Sequence, residues 1–156
     1  DKLETVTPDM RMSDNFYGWA KATYELLGFV FATGNVDDKN LEVVQWRIGG
    51  PRDDDLDHIA PGDIKSMHRS AGAYFSARDQ IHQCIQMIDT ADICDEHGVP
   101  FYVGYGISAN THRFWSLANA DKIGYKPQDN SQVNFADKIA KIAKAPATKT
   151  EKPPWM

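Results

Sequence analysis

The chain has 156 residues, 42 % of them hydrophobic and 25 % charged, which fits one globular domain able to bury about two-thirds of its unfolded surface. Its net charge of −5 offers no basic stripe to neutralise phosphates, so nucleic acid is not an expected partner. Cys84 and Cys94 form neither a CxxC nor a zinc spacing, and no apolar run approaches the roughly 18 residues of a membrane helix. With no signal peptide visible, a reducing cytoplasm is the expected compartment.

Residues 1–14 are polar, contain Pro8, and read as a loop leading into a helix capped by Ser13 or Asp14. From Asn15 to about Ala32, the residues Phe16, Trp19, Ala20, Thr23, Leu27, Val30 and Phe31 recur near the helical period. Thr33-Gly34-Asn35 is the stop signal. The β-branched and aromatic stretch Leu41–Ile48 ends at Gly49-Gly50-Pro51, a strand followed by a loop. Residues 51–65 are irregular and acidic. A short helix is expected over 65–73 and a longer one from Ser76 to about Ala91. The longer helix should turn Ile81, Cys84, Ile85 and Ile88 inward, which would bury the Cys84 thiol. Val99–Tyr105 reads as a second strand and Thr111–Lys122 as helix. Tyr125-Lys126-Pro127 is a break, and Asn134–Ala143 is a last amphipathic helix with Lys138 and Lys141 on a solvated face. Residues 146–156, rich in Pro and Lys, read as a flexible tail to a domain spanning 1–145.

This order of helices and strands predicts an α/β fold, a few parallel strands flanked by helices. Two strands are too few for an ordinary sheet. Either short strands lie in the loops, or another chain completes the sheet.

The feature with most chemistry is Tyr17-Gly18-Trp19-Ala20-Lys21. Helix positions i and i+4 share a face, so the phenol and the ammonium can meet around one ligand. An ammonium so placed favours the phenolate, and such a phenol can take a proton from a sugar hydroxyl. The same spacing also arises as a surface lysine beside a partly buried tyrosine. The histidines at 58, 68, 82, 97 and 112 are scattered, and Asp54, Asp55, Asp57 and His58 read as a solvated loop rather than a metal site. Gly104-Tyr105-Gly106-Ile107-Ser108-Ala109 spells a dinucleotide-binding G-x-G-x-x-A. No second apolar strand delivers Asp129 to it, and Lys126-Pro127 breaks the region, so it reads as a chance match.

The stretch Asp14–Lys21 is similar to the catalytic helix of extended short-chain dehydrogenases, written Y-G-x-S/A-K, and Leu41–Gly50 resembles the strand that follows it. Within that family the likeness is to uronate dehydrogenases and related NAD-dependent sugar dehydrogenases. Arg69 followed by Tyr74-Phe75-Ser76 resembles their R-x4-W-F-S. Gly106-Ile107-Ser108-Ala109-Asn110, followed by Phe114-Trp115, resembles G-x-S-A-N, and Ile123–Asn130 resembles L-G-W-K-P-x-D-N. The matches occur in order over roughly residues 9–143.

The resemblance implies a partial Rossmann-like fold, the C-terminal half of an extended short-chain dehydrogenase. It implies Tyr17 as general base and acid, and Lys21 as the residue that binds the nicotinamide ribose and favours the phenolate. Gly49 and Gly50 would border the nicotinamide, and Arg69 would hold a sugar carboxylate; a helix-surface arginine is the plain alternative. Gly50 departs from the serine of uronate dehydrogenases, and the acidic loop Asp53–Asp57 is an insertion beside the expected sugar site. The glycine-rich turn that would hold the pyrophosphate is not found in these residues. NAD or NADP is therefore expected to bind only if the remaining half is supplied, and the chain alone should be inactive. The implied ligand is a small sugar acid. The family's four-helix dimer contact implies a homo-oligomer through the Tyr17–Lys21 helix. A self-associating, non-catalytic α/β module that keeps these residues as relics is the alternative reading.

Overall fold

The computed structural model describes residues 15–36 and 39–144. Its first helix, α1, spans Phe16–Ala32 and begins where the Asn15 side chain accepts the Gly18 amide at 2.9 Å. The cap is thus Asn15; Ser13 and Asp14 lie outside the described residues, as does the proposed tail 146–156. An asparagine carboxamide satisfies one of the amides that a helix start leaves unpaired.

Strands β1 (Val43–Ile48) and β2 (Phe101–Gly106) pair in parallel, from Val43 opposite Phe101 to Ile48 opposite Gly106. They are the only two strands among the described residues, extended by an isolated bridge between Gly50 and Tyr74. Alternation puts Val43, Gln45 and Arg47 on one face of β1 and Val44 and Trp46 on the other. Helix α1 lies on the first face, where Gly28 abuts Val43 and Gln45 and the Phe29 ring meets Phe101 edge-on at 5.3 Å. The opposite face carries the main core, Phe75, Ile93, Tyr102, Ala120, Ile123 and Tyr125, with Val44 and Trp46 packed on it.

Two helices connect the strands. α2 (Ile64–Ala73) is capped by Asp63, and α3 (Ala77–Asp89) by Ser76. α3 reverses the expected inner face. Ile81, Cys84, Ile85 and Ile88 are exposed, Ile88 at 76 %, whereas Asp79 and Gln83 are buried. The cause is polar. The Asp79 carboxylate accepts the amides of Gln128 and Asp129 at 2.9 and 3.0 Å. The Gln83 carboxamide accepts Trp46 Nε1–H at 3.0 Å and donates to the Tyr105 carbonyl at 3.1 Å. Satisfied buried polar groups of this kind fix an orientation that apolar periodicity alone would reverse.

The expected helix over Thr111–Lys122 is instead an irregular loop, residues 107–119, ending in a short 3-10 turn, Ala120–Ile123. Side chains hold its backbone. Ser108 accepts the Ser76 amide at 3.0 Å, and Asn110 donates to the Tyr74 carbonyl at 2.7 Å while accepting the Ser131 amide at 3.0 Å. The last helix is split at Phe135 into α4 (Ser131–Asn134) and α5 (Ala136–Lys144). α5 covers a second apolar cluster of Leu56, Met67, Ala71 and Ile142. The acidic loop reaches the same helix through an Asp57–Lys138 ion pair of 2.6 Å. No helix among the described residues is long and apolar enough to cross a membrane.

Candidate active site at the carboxyl end of the parallel strands

α1 runs antiparallel to β1, because Gly28 lies at Val43 and Gln45 while Glu25 meets Arg47. Lys21 and Tyr17 stand one and two turns before Glu25, about 6 and 12 Å along the axis at 1.5 Å per residue. Gly49 and Gly50 lie roughly 7–10 Å beyond Arg47 at strand rise. Tyr17 and Lys21 therefore overhang the end at which Gly49 and Gly50 leave the sheet. Carboxyl ends of parallel strands are where α/β folds hold ligands. The Lys21 ammonium lies 5.4 Å from the Tyr17 ring centroid, within cation–π range, so the two share one face. Both are solvent-exposed, Tyr17 at 75 %.

The α1 end is anchored by charge. Glu25, only 6 % exposed, accepts Arg47 Nε–H and Nη2–H, both at 2.8 Å, and Arg47 also donates to the Tyr105 hydroxyl at 3.1 Å. Burial works to lower the Arg47 pKa, but the bonds to Glu25 and Tyr105 outweigh it and hold it above the usual value. The sequence signal was a lone glutamate in an apolar helix and a lone arginine in a β-branched strand. Reading the two as partners needs the strand–helix crossing.

Gly49 is set by packing. Its amide donates to the Gly106 carbonyl at 2.9 Å, and a Cβ there would come within 2.3 Å of the Ala73 oxygen and 2.8 Å of the Gly106 oxygen. Gly50 donates to the Ala73 carbonyl at 2.7 Å, and a Cβ on it would stand 3.0 Å from Asp55 Oδ2. The acidic loop thus closes beside Gly50. Asp55 pairs with Arg52 at 3.2 Å, and Asp53 accepts the Tyr74 hydroxyl at 2.7 Å. Burial, then the Asp53 contact, push the Tyr74 hydroxyl far above its ordinary range. Arg69 is exposed on α2, one turn before Ala73, and its side chain makes no hydrogen bond or ion pair among the described residues. Tyr17, Lys21, Gly49 and Gly50 gather at one end of the sheet, and Arg69 reaches it only through the Ala73–Gly50 contact.

The open Tyr17–Lys21 face offers an ammonium and a hydroxyl, donors of the kind a ribose would need. Among the described residues nothing cradles a pyrophosphate. The G-x-G-x-x-A stretch leaves β2 as an irregular loop, with Gly106 buried against Trp46 and Phe75 rather than opening a helix. No group of three metal-ligating side chains occurs among the described residues.

No family model matches the chain. It is 28 % identical over 129 residues to the uncharacterized protein YtbQ of Bacillus subtilis strain 168, covering 82 % of this chain and 45 % of that one. Solved structures share its fold. The uronate dehydrogenase of Agrobacterium tumefaciens superposes with a TM-score of 0.63 at 23 % identity, over 97 % of this chain and 46 % of that one. A mutant of the same enzyme complexed with NAD gives 0.63 at 20 % identity, over 97 % and 48 %. The glucuronic acid dehydrogenase of Chromohalobacter salexigens gives 0.68 at 22 % identity, over 96 % and 48 %. The chain therefore has the fold of part of these dehydrogenases and spans about half the length of the relatives it matches.

Proposed function

We infer that the chain is the C-terminal, substrate-side half of an NAD(P)-dependent sugar dehydrogenase of the extended short-chain type. The observation that carries this reading is the placement of Tyr17 and Lys21 on one face of α1, above the carboxyl ends of β1 and β2. The shared fold with two uronate-oxidising enzymes, one solved with NAD, supports it. In this reading Tyr17 accepts the proton of a sugar hydroxyl. Lys21 hydrogen-bonds the ribose hydroxyls and favours the Tyr17 phenolate. The backbone at Gly49 and Gly50 forms the floor, and Arg69 pairs with a sugar carboxylate, for which its fork is shaped. The bound nicotinamide supplies the hydride acceptor. In this reading the described residues serve only the nicotinamide end, and other polypeptide holds the pyrophosphate. The isolated chain should then bind NAD⁺ weakly and turn over little.

The test is a titration with NAD⁺, read by tryptophan fluorescence, with galacturonate or glucuronate present. Saturable binding that weakens about tenfold in Lys21→Ala is expected, since one charge-assisted bond is worth about 1.5 kcal/mol or more. Any turnover should vanish in Tyr17→Phe. Binding indifferent to Lys21→Ala sinks the reading.

A second reading is favoured by the surface of α1. Phe16, Tyr17, Trp19, Tyr24, Leu26, Leu27 and Val30 are all exposed, Phe16 at 89 %. Aromatic side chains of 150–250 Å² each bring this surface to the order of 1,000 Å², near what one partner contributes to a stable dimer. On this reading the chain is a module that pairs with a second copy of itself through α1 and performs no catalysis.

A further inference from the structure

The loop that replaces the expected helix after β2 borders an open surface pocket of about 440 Å³ lined by Thr111, Arg113, Trp115, Ser116, Leu117 and Ala118. Its charge is one-sided. Among the described residues, Arg113 is its only ionisable lining residue and no carboxylate lines it, in a chain whose net charge is −5. The guanidinium makes one long bond, Nη1–H to the Asn110 carbonyl at 3.4 Å, and no ion pair among the described residues. Most of its donors are therefore available to a ligand. The aromatic wall is fixed. Trp115 stacks on Tyr105 with centroids 4.8 Å apart and planes at 14°, and Phe114 meets it edge-on at 5.4 Å.

The frame around the pocket is tied together by side-chain hydrogen bonds. Asn110, fully buried, ties the loop to α2 and α4. The Thr111 amide donates to Asn130 Oδ1 and Gln132 Oε1, at 3.2 and 3.0 Å, and its hydroxyl accepts Asn130 Nδ2–H at 2.8 Å. Gly72 of α2 lets the loop approach, since a Cβ there would stand 2.7 Å from the His112 oxygen. A guanidinium with open donors, an indole and two hydroxyls on one fixed frame suit a small anion carried on a hydroxylated ring.

We propose that this pocket is a binding site for the carboxylate or phosphate of a ring-bearing sugar, with Arg113 as its anchor and Trp115 as its wall. Its lining residues are distinct from Tyr17, Lys21, Gly49 and Gly50, and the proposal does not need a dinucleotide bound at those residues.

The test is two-dimensional amide and indole NMR of the full chain, titrated separately with glucuronate, glucose 1-phosphate, NAD⁺ and neutral glucose. Saturable shifts confined to Thr111–Ala118 and the Trp115 indole are expected with glucuronate or glucose 1-phosphate and not with glucose. The tighter of the two identifies whether a carboxylate or a phosphate is preferred. Arg113→Gln should weaken binding about tenfold or more, and Arg113→Lys should restore part of it. Shifts caused only by NAD⁺, equal shifts with glucose, no saturation by about 10 mM of any anion, or indifference to Arg113→Gln would each overturn the proposal. Lys21→Ala and Tyr17→Phe should leave these shifts intact, which separates this outcome from failure of the dehydrogenase reading. The spectra themselves report whether each variant is folded.

Discussion

At the scale of single residues, two positions at the ends of the strands carry sharp consequences. A methyl group at Gly49 would meet two backbone carbonyl oxygens, and backbone cannot move aside as a flexible side chain can. Gly49→Ala is expected to destabilise the chain by about 2 kcal/mol or more, read as a lowered urea midpoint. Asp129 gathers Arg78 Nη2 at 2.5 Å, Arg78 Nε at 3.0 Å and the Ser76 hydroxyl at 2.6 Å. Burial works to raise its pKa, but the bonds from Arg78, Ser76 and Asn134 outweigh it and hold the carboxyl below the ordinary range. A carboxyl depressed in the folded state contributes stability that is present above its unfolded value, near 4, and lost as pH falls through the folded value. Thermal melts between about pH 5 and pH 2 should show that loss in the wild type and a flatter profile in Asp129→Asn. At neutral pH the substitution should cost about 1.5–3 kcal/mol, the worth of hydrogen bonds to a charged group.

At the scale of elements, α1 is held to the sheet by one buried ion pair and the Phe29–Phe101 ring contact while most of its apolar surface is exposed. Removing one partner of a buried pair strands the other charge. Glu25→Ala is therefore expected to cost about 3–5 kcal/mol and to release the helix. A double-mutant cycle with Arg47→Ala should recover a large part of that loss, because the stranded charge is then gone. Amide exchange would locate the effect in α1 if the anchor is as local as the contacts indicate. For α3 the opposite is expected. Ile85 is half exposed, so Ile85→Gln should change stability by no more than about 0.5 kcal/mol.

At the scale of the whole molecule, two parallel strands form the sheet among the described residues, and apolar surface stays open on both of its sides, on α1 and on α3. Parallel sheets are ordinarily covered on both faces, and open patches of this extent mark surfaces that associate. Light scattering across a dilution series should find a dimer that Trp19→Lys converts to monomer. A concentration-independent monomer would remove the self-association reading and leave α1 to be covered by other polypeptide.

The sequence by itself determined the α/β class, the parallel pairing of two strands and the helix bearing Tyr17 and Lys21. Those features rest on local periodicity and on turn residues such as Thr33-Gly34 and Gly49-Gly50, which act within one element. It also carried motifs in the order found in uronate dehydrogenases, a likeness borne out by the shared fold. Only the tertiary structure decided which face α3 buries, because Asp79 and Gln83 find partners 22 to 50 residues away that no helical period encodes. The loop after β2 was settled the same way. Buried Ser108 and Asn110 bind backbone at the ends of α2, α3 and α4 there, and long-range hydrogen bonds override helix propensity. The Arg113–Trp115 pocket exists only because that segment is not a helix. Its residues are close neighbours in sequence, but the wall they form depends on Tyr105 and Asn130, brought to them by the fold.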